Sequence, residues 1–137
     1  MVSTAIEDYV RAVYILGERG KPFVSDVASY LGLTKASTSE MVKRLAEQGY
    51  LLHEPYSELK LTKKGKQLAE KLTYKHRTIE LFLNRVLKLP KEKLHEEAHK
   101  LEHAFSDDSV RRMRRIVKNA KSCPHGQPIP SLKNSGA

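Results

Sequence analysis

A short predicted helix, a sharp turn at Gly32 and a second predicted helix constrain the fold of this chain most. Ser25 can cap the first helix, and Thr34 can cap the second, which runs to about Gln48. Ala28 is a small residue four positions before the glycine, so the two helices can approach closely. A short helix, a glycine-containing turn and a second helix are typical of a helix-turn-helix.

The residues that follow the second helix predict a two-stranded ribbon. Gly49 is placed to end the helix in a left-handed conformation. Residues 50–53 and 58–61 read as short strands on either side of a turn at residues 54–57. A ribbon directly after a recognition helix is a wing, so the chain is predicted to begin with a winged helix-turn-helix.

Three more helices are predicted after the wing. Thr62 can cap a long helix that begins at about residue 63 and runs to about Leu87, with Val86 on its buried side. Pro90 suits the first position of the next helix. Ser106 can cap a final helix over residues 107–120, and the last six or seven residues are expected to be frayed.

The outward side of the predicted helix that runs from Thr34 to about Gln48 carries small hydroxyl groups followed by cations. This order suits a helix in the major groove, where N-terminal side chains meet base edges and basic side chains meet phosphate. The formal net charge is +9, which agrees with binding to nucleic acid or another anionic surface. An ordinary helical hairpin with a solvated polar face is the alternative. The candidate DNA-binding residues are Thr34, Lys35, Ser37, Ser39, Glu40, Lys43, Arg44, Tyr56 and Lys60.

Lysines cluster at the predicted start of the long helix, at Lys63, Lys64 and Lys66. Cations at a helix N-terminus oppose the helix dipole, so their presence needs a reason. Phosphate contact beside the wing is one such reason, and surface solubility is the other.

The histidine-rich segment 95–103 predicts a second functional surface. At helical spacing its polar donors stand at i, i+4, i+7 and i+8 and project from one side of the helix. An apolar stripe lies about 120° away. Imidazole and carboxylate groups bind first-row divalent metals, although a solvated surface that happens to be rich in histidine is the alternative. The donors are His95, His99, Glu102 and His103, and the stripe is Leu94, Ala98, Leu101 and Phe105.

Other metal donors stand outside this segment. His76 and Glu80 are at i and i+4 on the long helix, where they can share a metal or simply hydrogen-bond. Asp8 falls near the start of the first predicted helix, which begins with a capping-box pattern at residues 4–7, and the helix dipole alone could explain it. Cys123 and His125 could also ligate a metal, but a single pair in a proline-rich loop is weak evidence.

Length and composition exclude several classes of protein. A chain of 137 residues with 39% hydrophobic residues can form one domain or two small units that share a core. No apolar run approaches the roughly 20 residues that a membrane span needs. The first 20 residues lack the pattern of a signal peptide. With Cys123 as the single cysteine, we expect a cytoplasmic protein that has no membrane partner.

The order of winged helix, long linker helix and histidine-rich helix resembles the metal-dependent repressors of the diphtheria-toxin repressor and manganese transport regulator family. The resemblance covers residues 4–132. It rests on five motifs: Glu7-Asp8-Tyr9, Thr62-Lys63-Lys64-Gly65-Lys66, Lys75-His76-Arg77, Glu102-His103 and the tail Cys123-Pro124-His125-Gly126-Gln127-Pro128-Ile129-Pro130. The chain is similar to the short branch of the family, which lacks an SH3-like domain.

The resemblance implies a mostly α fold. A winged helix-turn-helix DNA-binding domain with a two-stranded wing would occupy residues 1–74. An α-helical metal-binding and dimerisation domain with an extended C-terminal tail would occupy residues 75–137. The protein would be a homodimeric repressor that binds double-stranded DNA at a near-palindromic operator. Its corepressor would be a divalent metal, so that it controls genes of metal uptake or homeostasis.

Residue by residue, the resemblance implies two metal sites. The main site is Asp8, His99, Glu102 and His103, and the second is His76, Glu80 and His95. Asp8 matches the manganese sensors, but Arg11 stands where they have a bridging glutamate. His99 stands where iron sensors have cysteine and manganese sensors have glutamate. We predict Mn(II) or Fe(II) first, with Zn(II) and Co(II) as further candidates, because this donor set accepts all of them.

The implied mechanism is linkage between two domains. Asp8 lies on the first helix of the DNA-binding domain, and the other main ligands lie on the dimerisation helix. A metal that joins them would favour the orientation of helix 34–48 that is competent to bind DNA.

Two other functions stay open at this point. Residues 99–103 match H-x-x-E-H, a zinc metallopeptidase motif in which Glu102 would be the general base. Because a winged helix leaves little room for a substrate cleft in this chain, we expect no enzymatic activity. The second alternative is a winged-helix regulator that senses a small organic effector, with structural histidines.

Overall fold

The computed structural model describes residues 3–118 and 121–130 of the 137-residue chain. Within these residues the chain forms six helices and one two-stranded antiparallel sheet, which confirms the predicted mostly α fold with a winged helix-turn-helix. The elements are α1 (Thr4–Glu18), α2 (Val24–Leu31), α3 (Lys35–Glu47), β1 (Leu51–Leu52), β2 (Lys60–Leu61), α4 (Lys63–Arg85), α5 (Lys91–Glu102) and α6 (Asp107–Ile116).

The chain divides into two compact units, Met1–Glu70 and Lys71–Ala137, and the division falls within α4. Each unit has its own apolar core. Among the described helices, none combines the length and the apolar content that a membrane crossing requires.

The first two helices of the N-terminal unit begin differently from the prediction. Ser3 caps α1, because its Oγ accepts a hydrogen bond from the Ile6 N–H at 3.2 Å, so the cap lies one residue before Thr4. The capping position of α2 is Phe23, which has no side-chain capping bond, so Ser25 is not the cap. The core of this unit joins α1, α2, α3 and the wing through residues that include Val10, Val13, Val27, Val42, Leu45 and Leu51.

The turn and the recognition helix follow the local sequence signals. Gly32 has a φ of +68°, in the left-handed region that glycine adopts without strain. Thr34 Oγ1 caps α3 and accepts from the Ser37 N–H at 3.1 Å. Thr38 and Val42 are fully buried, and Met41 is half-buried and packs against the same core.

The wing is shorter than the strands predicted at residues 50–53 and 58–61. Leu51 pairs with Leu61 and Leu52 pairs with Lys60 in an antiparallel ladder. Tyr56, in the turn between the strands, is fully exposed and has a φ of +62°.

The C-terminal unit buries the apolar faces of α4, α5 and α6 against one another. Its core consists of Ile79, Leu83, Leu94, Ala98, Val110 and Met113. The prediction that Val86 is buried was wrong: α4 ends at Arg85 and Val86 is 42% exposed. Pro90 is the capping residue of α5 rather than its first helical residue, and His103 is the capping residue at its other end.

Ser106 caps α6 as predicted, since its Oγ accepts from the Ser109 N–H at 3.1 Å. The helix ends at Ile116, short of the predicted limit. Residue 120 at that limit and the tail from 131 to 137 lie outside the described residues.

Candidate functional site

Three imidazole rings surround the buried carboxylate of Glu102, which is 3% exposed at the end of α5. Glu102 Oε2 lies 3.0 Å from His76 Nδ1. Glu102 Oε1 lies 3.0 Å from His99 Nδ1 and 3.7 Å from His103 Nε2. His99 reaches the carboxylate because it stands three residues earlier on the same helical face. One ligand atom from each of His99, Glu102 and His103 lies within 4.8 Å of the other two.

A second donor set joins α4 to α5. His76 and Glu80, one turn apart on α4, are 5% and 3% exposed. His95 of α5 is exposed, and the centroid of its ring is 4.9 Å from that of His76. One ligand atom from each of the three residues lies within 4.8 Å of the others. The structure therefore brings together the residues predicted for the second site.

His76 lies between two carboxylates, and this arrangement is suited to a bound cation. Its Nδ1 is 3.0 Å from Glu102 and its Nε2 is 3.6 Å from Glu80 Oε1. A neutral imidazole carries one N–H, so it can donate to only one of these carboxylates. At the other nitrogen a lone pair faces a carboxylate oxygen in a buried setting, which is unfavourable unless a proton or a metal ion lies between them. The donors therefore fit a divalent metal.

A third donor set is formed by Glu80, Cys123 and His125, whose ligand atoms lie within 4.8 Å of one another. His125 Nδ1 is 3.6 Å from Glu80 Oε2, on the opposite oxygen from His76. Cys123 is buried and 5% exposed. Cys123 and His125 are not among the ligands predicted from the sequence, because a single pair in a proline-rich loop is weak evidence. The Cys-x-His spacing was the available signal, but nothing local to it indicated a third donor.

A tight turn holds Cys123 and His125 in place. The Cys123 N–H donates to Gln127 O at 2.8 Å, and the Gly126 N–H donates to Cys123 O at 2.9 Å. Arg77, buried on α4, donates from Nη1 to Pro128 O at 2.6 Å. This last bond joins the turn to the helix that carries Glu80.

Asp8 lies on α1 in the N-terminal unit and is half-buried. It is the fifth residue of the helix, and Glu7 is the acidic residue of the first turn. Because the favourable effect of the helix dipole on a carboxylate fades beyond the first turn, the dipole does not account for Asp8. Arg11, one turn further along α1, is 8% exposed.

The outward face of α3 and the wing present most of the predicted DNA-binding side chains to solvent. Thr34 and Ser37 also bond to each other, with the Thr34 hydroxyl 2.9 Å from that of Ser37, so both contribute to the helix cap. Ser39 is half-buried. The exposed members of the predicted set are Thr34, Lys35, Ser37, Glu40, Lys43, Arg44, Tyr56 and Lys60.

Several arginines of α6 bond within the C-terminal unit. Side-chain hydrogen bonds from Arg112 and Arg111, at 3.0 and 3.3 Å, hold the pKa of Asp108 below its usual value. Arg114 donates to Val117 O at 3.0 Å. Burial raises the pKa of Tyr74, and the charges of Arg114 and Arg111 offset part of that rise. These bonds account for the presence of Arg111, Arg112 and Arg114 without any contact with DNA.

Comparisons with known proteins match both units. Residues 1–59 match the N-terminal DNA-binding domain of the iron-dependent repressors, and residues 62–131 match their metal-binding and dimerisation domain. The chain is 35% identical over 119 residues to the HTH-type transcriptional regulator MntR of Bacillus subtilis, which covers 86% of this chain and 83% of that protein.

Two solved structures are similar over most of the chain. The manganese regulator SloR has a TM-score of 0.79 and 38% identity, and the match covers 92% of this chain. A manganese-dependent transcriptional repressor in complex with manganese has a TM-score of 0.84 and 31% identity, with 93% of this chain covered. This chain spans 59% of the length of each of these two solved chains.

Proposed function

The chain belongs to the iron-dependent repressor family, and from that premise we propose that it represses transcription by binding operator DNA as a metal-loaded homodimer. Membership in this family confirms the resemblance drawn from the sequence motifs. The family consists of regulators that bind DNA through the first domain and metal through the second. The observation that carries the proposal is the buried Glu102 carboxylate, with three imidazole rings around it, in the unit that matches the metal-binding domain.

We propose that Asp8, His99, Glu102 and His103 form the main metal site. The close approach of the last three donors supports this assignment. Asp8 is added because of the motif that it shares with the family and because the helix dipole does not explain it. His76, Glu80 and His95 are proposed as the second site, and the buried pair on α4 supports it.

Mn(II) or Fe(II) is the proposed corepressor, with Zn(II) or Co(II) able to substitute. Carboxylate and imidazole ligands accept all four ions, and affinity alone does not select among them. The descriptions of the two similar solved structures name manganese, whereas the family description names iron. When bound, the metal supplies a positive charge that its ligands share.

The proposed mechanism is a thermodynamic linkage between the binding of DNA by α3 and the binding of metal by its ligands. Asp8 belongs to the unit that contains α3, and His99, Glu102 and His103 belong to the other unit. If one ion holds ligands from both units, it stabilises only those arrangements in which they can meet. DNA and metal then favour each other's binding by the same factor. In a homodimer, two α3 helices would read the two halves of a near-palindromic operator.

Metal-dependent DNA binding tests this proposal. A duplex is first selected from a random-sequence library with the parent protein and Mn(II), and its affinity is measured by fluorescence anisotropy. We expect EDTA or the substitution His103→Ala to weaken binding by at least about tenfold, the scale of one lost metal contact. Glu96→Ala on the exposed side of α5 should leave the affinity unchanged. Binding that is insensitive to EDTA and to His103→Ala would instead favour a sensor of an organic effector.

The close approach of Glu80, Cys123 and His125 favours an alternative set of ligands for the second metal site. Thiolate is a softer ligand than carboxylate, so this donor set suits Zn(II) or Co(II) better than Mn(II). Loading the protein with Co(II) should give a thiolate-to-cobalt charge-transfer band in the near-ultraviolet. Cys123→Ser should abolish the band, and His95→Ala should retain it. A parent protein without the band does not use Cys123 as a ligand.

We also propose a cytoplasmic location. Its support is the expected DNA partner, together with a single cysteine, which suits a reducing compartment.

A further inference from the structure

Three consecutive backbone carbonyl groups follow α3, and each accepts a hydrogen bond from Thr62, which immediately precedes α4, or from Lys64 in its first turn. Gln48 O accepts from Lys64 Nζ at 2.9 Å. Gly49 O accepts from Thr62 Oγ1 at 2.6 Å, and Tyr50 O accepts from the Thr62 N–H at 3.1 Å. We call this set of three bonds the carbonyl clamp. For Gln48, the C-terminal capping residue of α3, the bond matters because carbonyl groups at the end of a helix lack partners inside the helix.

Lys64 makes a second contact in the same place. Its Nζ lies 4.3 Å from the centroid of the Tyr50 ring, in the geometry of a cation–π interaction. Tyr50 is 8% exposed and belongs to the core of the N-terminal unit. The ammonium group is therefore held from two sides, although the lysine side chain itself runs over the surface.

The neighbouring lysines differ from Lys64. Lys63 and Lys66 are also exposed, yet neither side chain bonds to a carbonyl group or lies over an aromatic ring among the residues that the structure describes. Lys63 thus offers a matched control with the same charge on the same turn.

The backbone of α4 is shaped to fit against the clamp. Thr62 Oγ1 accepts from the Gly65 N–H at 3.1 Å while donating to Gly49 O. A Cβ atom at Gly65 would lie 1.9 Å from Tyr50 O, so a side chain there would prevent this approach. The first turn of α4 therefore lies directly on the chain segment that follows α3.

We infer that Lys64 is a positioning residue, which holds the C-terminal end of the recognition helix α3 on α4 rather than contacting DNA phosphate. A cation at the start of α4 opposes the dipole of that helix, but this cation also lies at the C-terminal end of α3, where the dipole favours it. The inference rests on the proposed function, in which α3 reads DNA. The Lys64 bond also connects α4, which carries His76 and Glu80, directly to the end of the helix that reads DNA.

Hydrogen exchange of the intact protein without DNA tests the clamp. In Lys64→Met, we expect the peptide that covers residues 47–51 to exchange about threefold to tenfold faster, the effect of one net hydrogen bond. Lys63→Met should match the parent. Lys64→Arg should restore slow exchange, because a guanidinium group can donate to Gln48 O and stack on Tyr50. Equal exchange in Lys64→Met and the parent would overturn the inference.

The salt dependence of DNA binding separates positioning from phosphate contact. On a duplex selected with the parent protein and Mn(II), Lys64→Met should weaken binding by about threefold to tenfold with an unchanged slope of log affinity against log salt. A lost phosphate contact would reduce that slope by about 0.9 and would refute the positioning role. If the parent selects no duplex at all, the proposed function fails, and the exchange experiment still decides whether the clamp exists.

Discussion

At Gly65 the backbone of α4 passes against the carbonyl group of Tyr50. The position that a Cβ would occupy is 1.9 Å from the carbonyl oxygen and 2.9 Å from the carbonyl carbon. Both are backbone atoms, so neither can move away by a change of rotamer. A single absent side chain thus allows the close contact between α4 and the end of α3.

Gly65→Ala is therefore expected to destabilise the protein by about 1–3 kcal/mol, the usual cost of forcing an extra carbon into a packed site. Gly17→Ala in α1 is the matched control. A Cβ there would meet none of the described atoms within 4 Å, so the change should stabilise by up to about 1 kcal/mol through helix propensity. Urea unfolding measures both free energies. A Gly65→Ala variant as stable as Gly17→Ala would show that α4 does not press on Tyr50.

The turn at residues 121–130 depends on α4 for its position. Besides the Cys123 and Gly126 bonds described above, its own contacts are a bridge between Ser122 and Pro128 and a bond from the Ile129 N–H to Lys121 O at 3.0 Å, and none of these reaches a helix. The buried guanidinium of Arg77 donates to Pro128 O. This bond holds the turn that carries Cys123 and His125 beside Glu80, together with the packing of Ile129 against Leu81 and Val117.

Arg77→Met should release this turn and expose the Cys123 thiol. A hydrogen bond from a charged group contributes about 1.5–3 kcal/mol, so opening of the turn should become roughly tenfold to a hundredfold more frequent. The rate of reaction with the thiol reagent DTNB measures that opening. Arg85→Met, at the exposed end of the same helix, is the control and should react like the parent. An unchanged thiol rate in Arg77→Met would mean that the turn is held by other contacts.

The proposed main site draws its ligands from both compact units. Asp8 comes from Met1–Glu70 and the other three from Lys71–Ala137. Metal at a concentration of 100 times its Kd adds about 2.7 kcal/mol to the free energy of unfolding. If Asp8 is a ligand, that stabilisation extends to the N-terminal unit, and removal of the carboxylate confines it to the C-terminal unit.

Asp8→Ala should accordingly lower the affinity for Mn(II) by roughly tenfold to a hundredfold, or about 1.4–2.7 kcal/mol of binding free energy. Calorimetric titration measures the affinity, and hydrogen exchange of α1 with and without Mn(II) shows whether the N-terminal unit is still protected. Glu54→Ala, an exposed acid of the same unit, should behave like the parent. Protection of α1 by Mn(II) that survives Asp8→Ala would remove Asp8 from the site.

Local sequence signals predicted most of the elements. Thr34, Gly32 and Gly49 mark the limits of the helix-turn-helix correctly, because capping and left-handed turns depend on residues within one turn of each other. The errors lie where two neighbouring residues could each cap a helix, or where a helix ends before its hydrophobic periodicity does. Ser3 caps α1 in place of Thr4, and the periodicity that included Val86 continued past the last turn of α4.

The order of the helices and wing, the family and the candidate metal donors could be read from the sequence, because periodicity and motifs are local properties of the chain. Which distant residues meet depends on the tertiary packing. It brought Cys123 and His125 to Glu80 and His76 to Glu102, and it gave Lys64 a partner in Gln48 O. Contacts of this kind depend on how helices pack, and the spacing of residues along one helix carries no information about its neighbours.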